Sequence, residues 1–291
     1  MTKHKSLISA VQKGDLITVK ELLDNGSNVN KPDKDGYTPL HWAAQEGFSQ
    51  ICNLLLERDA DVNLPDNEGF TPLEVAVTKN QVGIVKKILE SNANIHINRQ
   101  GFTPLHASVA AGSEEITQIL LLSGINPNAK DKNGRSPLHW AAQEGYEDIA
   151  ELLLKLGANV NETDGDGFTP LHVASSEGHF NLVNLLIKHN ADVNVKSATG
   201  STALHSACAW DQKLITELLI SSGANVDAID NNGQTPLFFA VMYGLTEIVQ
   251  ILLRHKAVMS IQNKKGETVQ DVARKKRRKG ILNLLGSVKL K

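Results

Sequence analysis

Five histidines recur at one place in a repeated tetrapeptide: His41, His106, His139, His172 and His205. Imidazoles set along one face invite a metal reading. Stacked units of this size sit about 10 Å apart, the spacing of packed helices, whereas one zinc ion needs ligand atoms at about 2 Å. The spacing therefore argues against a shared metal. Asp164-Gly165-Asp166-Gly167 is the nearest approach to a calcium loop, but it lacks the alternating oxygen ligands and the closing glutamate. Serines, histidines and aspartates are plentiful, yet nearly all occupy repeated positions that capping and turns explain. There is no glycine-rich phosphate loop, no Cys-x-x-Cys and no His-Glu-x-x-His. No catalytic residue, no metal and no cofactor is expected. Cys52 and Cys208 fall at apolar positions many repeats apart, which argues against a disulfide and for a reducing compartment.

The elements that position these residues follow from the repeat. Thr-Pro-Leu-His or a near copy starts at Thr38, Thr71, Thr103, Ser136, Thr169, Thr202 and Thr235, with a degenerate copy at Thr268. Every step is 33 residues except one of 32. A fixed period of this size marks a stacked solenoid, which offers a long surface to a partner. One unit can be read from Asp131 to Lys155. Asp131-Lys132-Asn133-Gly134 is a turn. Ser136 caps a helix that Pro137 opens, and Leu138, Ala141 and Ala142 form its apolar stripe with Trp140 at one edge. Gly145 ends it. Ile149, Leu152, Leu153 and Leu154 give the face of a second helix, which Gly157 ends. The first helix carries small residues and the second carries leucines, so the stack is expected to curve with the small-residue helices inside.

Gly-x-Thr-Pro-Leu-His-x-Ala-Ala, a second helix ending Leu-Leu-Leu, and then Gly-Ala-Asn-Val-Asn resemble the ankyrin repeat, over roughly residues 5 to 288. The resemblance implies an all-α solenoid of helix-loop-helix units with short β-hairpin fingers and a concave groove lined by fingers and inner helices. It also implies a structural role for the histidines, each ring bonding the motif threonine and nearby backbone. The expected organisation is one domain over 1–291: an N-terminal cap (5–35), seven full repeats (36–265), and a C-terminal cap with tail (266–291). Departures stand out. Glu74, Phe238 and Asp271 replace the histidine, Asn80 and Asp211 replace the glycine ending the inner helix, and one residue is missing between Ile97 and Asn98. That short finger, next to a unit carrying Glu74 and Asn80, is the expected weak junction.

Charge is lopsided. Lys264 to Lys291 carries ten Lys or Arg against two acids, while the rest of the chain carries 20 basic and 30 acidic residues. The densest run is Arg274, Lys275, Lys276, Arg277, Arg278 and Lys279. It reads either as a nuclear-import or acidic-partner patch or as the solvated end of a cap. The run is not interleaved with aromatics and the body is acidic, which argues against nucleic acid. No run reaches the length of a membrane span and no signal-peptide stretch opens the chain, so a soluble, cytoplasmic monomer is expected, with nuclear entry as the alternative.

In the resembled family, contact residues lie beside the finger glycine and before the glycine ending the inner helix. Carried onto this sequence, most such positions are polar or small, but Trp210, Met242 and Tyr243 stand together on neighbouring inner helices, flanked by Ser201 and Gln234 on the fingers. Tyr and Trp are over-represented in binding hot spots. The competing reading folds Trp210 onto the next repeat and lays Tyr243 over Phe238 or Phe239. Tyr37, Phe70, Phe102, Phe168, Arg135 and Arg99 are further finger candidates, the aromatics also being suited to packing on an adjacent finger. The expected function is non-catalytic protein–protein interaction through the concave face. The alternatives are an adaptor whose basic tail targets it, and a targeting module of a larger enzyme or of a bacterial effector acting in a host cell.

Overall fold

The computed structural model describes residues 6–95 and 101–287. The chain divides into two compact units, Met1–Lys132 and Asn133–Lys291. The first holds α1 (Leu7–Gln12), α2 (Leu16–Asp24), α3 (Pro39–Glu46), α4 (Ser49–Leu56), α5 (Pro72–Thr78), α6 (Val82–Glu90), α7 (Pro104–Ala110) and α8 (Glu114–Leu122). The second holds α9 (Pro137–Glu144), α10 (Glu147–Lys155), α11 (Pro170–Glu177), α12 (Phe180–Lys188), α13 (Ala203–Ala209), α14 (Lys213–Ser221), α15 (Pro236–Tyr243), α16 (Thr246–Arg254), α17 (Val269–Lys275) and α18 (Lys279–Ser287). Within each unit the odd-numbered helices pack on one another in order, and the even-numbered helices form a second layer. The expected short helix pair and the all-α solenoid class are both seen.

Burial follows the stripes expected from sequence. Leu138, Ala141 and Ala142 are buried on α9, and Ile149, Ala150 and Leu153 on α10, while Leu152 and Leu154 are half-buried. Alanines on the inner layer let neighbouring helices approach, and leucines fill the space behind them. The terminal pair follows the same rule: Val269, Val272, Ala273, Ile281 and Leu285 are buried where α17 packs on α15 and α18 on α16.

The fingers are hairpin turns, and none of the described residues forms a strand. Their arms are too short for a ladder. Asp33 is representative: its backbone N–H donates to the Tyr37 carbonyl at 3.0 Å, and its carbonyl accepts from the Gly36 N–H at 3.2 Å. Its carboxylate Oδ1 accepts from the N–H groups of Asp35 at 3.0 Å and Tyr37 at 2.9 Å. Asp66, Asp164, Asp230 and Asn263 repeat this pattern. Each finger then bonds to the next. The N–H of Asn67 reaches the Asp35 carbonyl at 3.1 Å, and Gly165, Ala198, Asn231 and Lys264 reach Asn133, Asp166, Thr199 and Asn232 at 2.8 Å.

Every described residue with positive φ falls at one of three repeat positions, and the reasons differ. At the finger, the position is glycine in all eight copies from Gly36 to Gly266. A Cβ would stand 2.5 Å from the Asn67 nitrogen of the next finger at Gly36 and 2.7 Å from the Ala198 nitrogen at Gly167, whereas at Gly266 it would meet nothing within 4 Å. After the outer helix, a Cβ on Gly26, Gly124 or Gly223 would meet nothing within 4 Å, and Asp59, Asn92, Asn190 and Lys256 take the same place. After the inner helix stand Gly14, Gly47, Asn80, Gly112, Gly145, Gly178, Asp211, Gly244 and Arg277. Asn80 and Asp211, which replace the glycine there, also adopt the left-handed turn, at φ 54° and 56°.

The histidines join one repeat to the next. In His41, His106, His139, His172 and His205, Nδ1 accepts the backbone N–H of the motif Thr or Ser at 3.1 Å. Nε2 lies 2.9 Å from the carbonyl of Phe70 for His41 and of Phe168 for His139, and 3.1 Å from that of Ser201 for His172 and Gln234 for His205. A carbonyl only accepts, so Nε2 carries the proton and the ring is neutral. The structural role implied by the resemblance is what these bonds describe. Glu74 and Asp271 keep half of it, each accepting from the N–H of its capping threonine at 2.8 and 3.0 Å. Phe238 cannot, and the Thr235 hydroxyl is left buried without a partner.

Two outcomes are expected. Gly167→Ala drives a Cβ into fixed backbone and should destabilise the fold by more than about 3 kcal/mol, whereas Gly223→Ala carries only the left-handed cost of about 1 kcal/mol. Equal losses in urea unfolding would refute the distinction. Burial, foremost, lowers the pKa values of His41, His139, His172 and His205, that of His172 to about 4. The unfolded chain therefore takes up protons first. The histidine contribution is intact above about pH 6.5 and is lost as pH falls towards 4. The urea midpoint should drop between pH 7 and pH 5, less steeply in His172→Gln; parallel pH profiles would count against it.

Candidate partner-binding face

The residue after the finger glycine and the residue eight positions on, in the last turn of the inner helix, meet on one face of the repeat. Arg135 Nη1 donates to Gln143 Oε1 at 2.6 Å, and Lys275 Nζ pairs with Glu267 at the same two positions four repeats later. In the second unit this face therefore carries Arg135, Phe168, Ser201 and Gln234 from the fingers and Gln143, Ser176, Ala209 and Met242 from the inner helices. The next helix position adds Glu144, Glu177, Trp210, Tyr243 and Lys276.

Trp210 and Tyr243 are the outstanding members of that row. Trp210 is 68% exposed and Tyr243 52%, and neither ring stacks on another aromatic group among the described residues. Trp210 follows the last residue of α13, just before the left-handed turn at Asp211, so its side chain leaves the packed layer. Met242 beside Tyr243 is half-buried. Phe238 is buried and Phe239 sets its edge against His205 at 5.5 Å, so the inward aromatic packing of α15 is done by these two. Ser201 and Gln234 are half-buried on the flanking fingers, their carbonyls holding the histidine rings.

Three of the other finger aromatics make ring contacts within their own repeats. Tyr37 lies 5.2 Å from His41 and 5.3 Å from Trp42, Phe102 stacks on His106 at 5.3 Å, and Phe168 meets His172 edge-on at 5.5 Å. Phe70 is half-buried and supplies the carbonyl for His41. The guanidinium of Arg135 is tied to Gln143. Arg99 and the missing residue between Ile97 and Asn98 lie outside the described residues.

One interaction escaped the sequence reading. The residue after the inner-helix turn reaches back over the preceding repeat and covers its terminal glycine. His179 Nε2 donates to the Gln143 carbonyl at 3.0 Å, Gln212 Nε2 to Ser176 at 3.2 Å, and Arg278 Nη2 to Met242 at 3.1 Å. These side chains close the open C-terminal carbonyls of α9, α11 and α15. A long donor recurring at that position (Gln81, His179, Gln212, Arg278) was the available signal. The basic run is divided accordingly. Arg274 pairs with Asp271 at 2.8 Å, Lys275 pairs with Glu267, and Arg278 caps α15. The side chains of Lys276, Arg277 and Lys279 are exposed and have no partner among the described residues.

The chemistry available elsewhere is limited. Burial pushes the thiols of Cys52 and Cys208 up to about 12, so neither is a thiolate at neutral pH. Among the described residues no group of three His, Cys, Asp or Glu could hold a metal ion. No described helix is long and apolar enough to cross a membrane. The division of the basic run is testable by melting. Arg278→Ala should cost about 1 kcal/mol, and Arg278→Gln should retain the bond that Gln212 makes in the equivalent place. Lys276→Gln/Arg277→Gln/Lys279→Gln should leave the melting temperature within a degree or two. A large loss in that triple variant would show that the three cations are structural.

Comparison with known proteins agrees with this architecture. A family model described as ankyrin repeats (three copies) matches residues 7–100, 93–164, 156–230 and 212–289. Among curated proteins, the chain is 52% identical over 50 residues to the 2-5A-dependent ribonuclease of Mus musculus, covering 17% of this chain and 7% of that one. It is 46% identical over 48 residues to the ankyrin repeat protein FPV223 of Fowlpox virus (strain NVSL), covering 16% and 34%. It is 36% identical over 52 residues to ankyrin repeat domain-containing protein 39 of Homo sapiens, covering 18% and 28%. The matches thus span about a third or less of each relative's length. On the repeat's period, its capping histidines and the matched family model, the chain belongs to the ankyrin-repeat family.

Proposed function

We propose that this chain is a non-catalytic protein-interaction module whose second unit binds a partner on the face formed by fingers and inner-helix ends, centred on Trp210, Met242 and Tyr243. The observation that carries the reading is the exposure of two large aromatic rings where the two preceding repeats place Glu144 and Glu177. Exposed aromatics cost solubility unless a partner covers them, and Trp and Tyr are the residues that most often anchor interfaces. Met beside them gives an adaptable contact. The two free, buried thiols suit a reducing compartment, and the reading places the protein in the cytoplasm as a monomer. A second reading makes the repeats the targeting part of a longer enzyme. It draws on the relative named as a ribonuclease, of which the matched stretch is only 7%.

The test uses the full chain as bait in quantitative affinity purification, followed by titration calorimetry with the isolated partner. Trp210→Ala should weaken binding by about 2 kcal/mol, roughly 30-fold, while Gln45→Ala costs little and both variants melt as the parent does. A Trp210→Ala variant that melts sharply lower yet binds unchanged would make the tryptophan a packing residue. An intact mass on the native protein that exceeds this chain would favour the second reading.

A further inference from the structure

The face described above changes character along the second unit. At one repeated position, just before the left-handed turn, the side chains run Glu144, Glu177, Trp210, Tyr243 and Lys276. The exposed aromatics are thus bordered by acid on one side and by the terminal repeat on the other. That terminal repeat has already neutralised its acids, since Asp271 pairs with Arg274 and Glu267 with Lys275. Its remaining cations are Lys276, Arg277 and Lys279 at the helix end and Lys264 and Lys265 at the fingertip, all exposed. Their side chains have no hydrogen-bond or ion-pair partner among the described residues. Arg277 occupies the left-handed turn at φ 55°, where glycine stands in most other repeats. A long cationic side chain is not required by the fold there, and its Cβ makes the left-handed backbone less favourable than glycine would.

Resting on the reading of Trp210, Met242 and Tyr243 as an interface, we propose that the partner presents an extended segment of asymmetric charge. An aromatic or aliphatic anchor covers Trp210 and Tyr243, and a run of Asp or Glu on one side of that anchor only lies over Lys276, Arg277 and Lys279. Acidic residues on the other side would face Glu144 and Glu177 and be repelled. The five unpaired cations give long-range attraction, which speeds encounter and is screened by salt, while the rings supply the short-range contact. Partner identity is therefore set by the order of charge and apolar groups, as much as by the groups themselves.

A display library of random 16-residue peptides, selected on the immobilised full chain, tests this. Enriched peptides should carry an apolar anchor with at least three acids on one consistent side. As soluble fluorescent peptides they should bind at least tenfold more weakly to Lys276→Glu/Arg277→Glu/Lys279→Glu, to Trp210→Ala/Tyr243→Ala, and to the wild type when salt is raised from 50 to 300 mM. Peptides without acidic bias that are lost only in the aromatic variant overturn the charge proposal and leave the interface reading standing. Acidic peptides indifferent to the aromatic variant overturn both, because the anchor then lies elsewhere. Failure to enrich any peptide, with charge-dependent binding to phosphatidylserine vesicles instead, overturns the peptide proposal in favour of an anionic membrane surface. Acids enriched equally on both sides of the anchor refute the asymmetry.

Discussion

The backbone N–H of each finger must reach the carbonyl that precedes the glycine of the finger before it. That bond, 2.8 to 3.1 Å long wherever it is described, holds successive fingers so close that a Cβ at the glycine would stand 2.0 to 2.7 Å from neighbouring backbone at Gly36, Gly101, Gly134, Gly167 and Gly200. Other features follow from this approach. The Asp or Asn that opens each finger folds the tip into a turn and consumes the N–H groups the turn leaves over. With the finger fixed, its last residue presents a carbonyl at the right place for the histidine 29 residues earlier. The histidine in turn caps its own helix through Nδ1, so one ring ties the helix start to the next repeat. At Gly266, in the last described finger, a Cβ would meet nothing within 4 Å.

A frame of this kind uses up reactive groups. The imidazoles of His41, His139, His172 and His205 are buried and bonded at both nitrogens, the thiols are buried and protonated, and most hydroxyls of the motif cap helices. What the frame does not require becomes informative. Along the row before the inner-helix turn, stacking places no demand on the side chain. Glu144, Glu177, Trp210, Tyr243 and Lys276 are all exposed there, and their order gives the row its polarity. The same reasoning divides the basic run. Arg278 belongs to the frame because it closes the carbonyl end of α15, while Lys276 and Arg277 beside it do not.

Much of this was legible in the amino-acid sequence. The step between Thr38, Thr71 and their copies determined the solenoid, since only a stacked unit explains so regular a period. Proline after the capping threonine, the alanine pair and the leucine run determined two helices per unit and which faces are buried. The spacing of the recurrent histidines argued against a shared metal, and the ankyrin resemblance implied their structural role. Trp210 and Tyr243 stood out because they break a pattern, and the pattern is a property of the sequence.

Only the tertiary structure decided how residues of different repeats meet. It showed that three sets of left-handed residues, alike in φ, are constrained differently: by backbone at most fingers, by a flexible side chain after inner helices such as α9 and α11, and by nothing at Gly26, Gly124 and Gly223 after the outer helices. It revealed the reach of His179, Gln212 and Arg278 across 36 residues, and it left Trp210 in solvent instead of against the next repeat. The physical reason is one of scale. A repeat's sequence encodes its own turns, caps and apolar stripes, which are local. Contacts between repeats depend on the distance and rotation of the stack, which no single repeat contains.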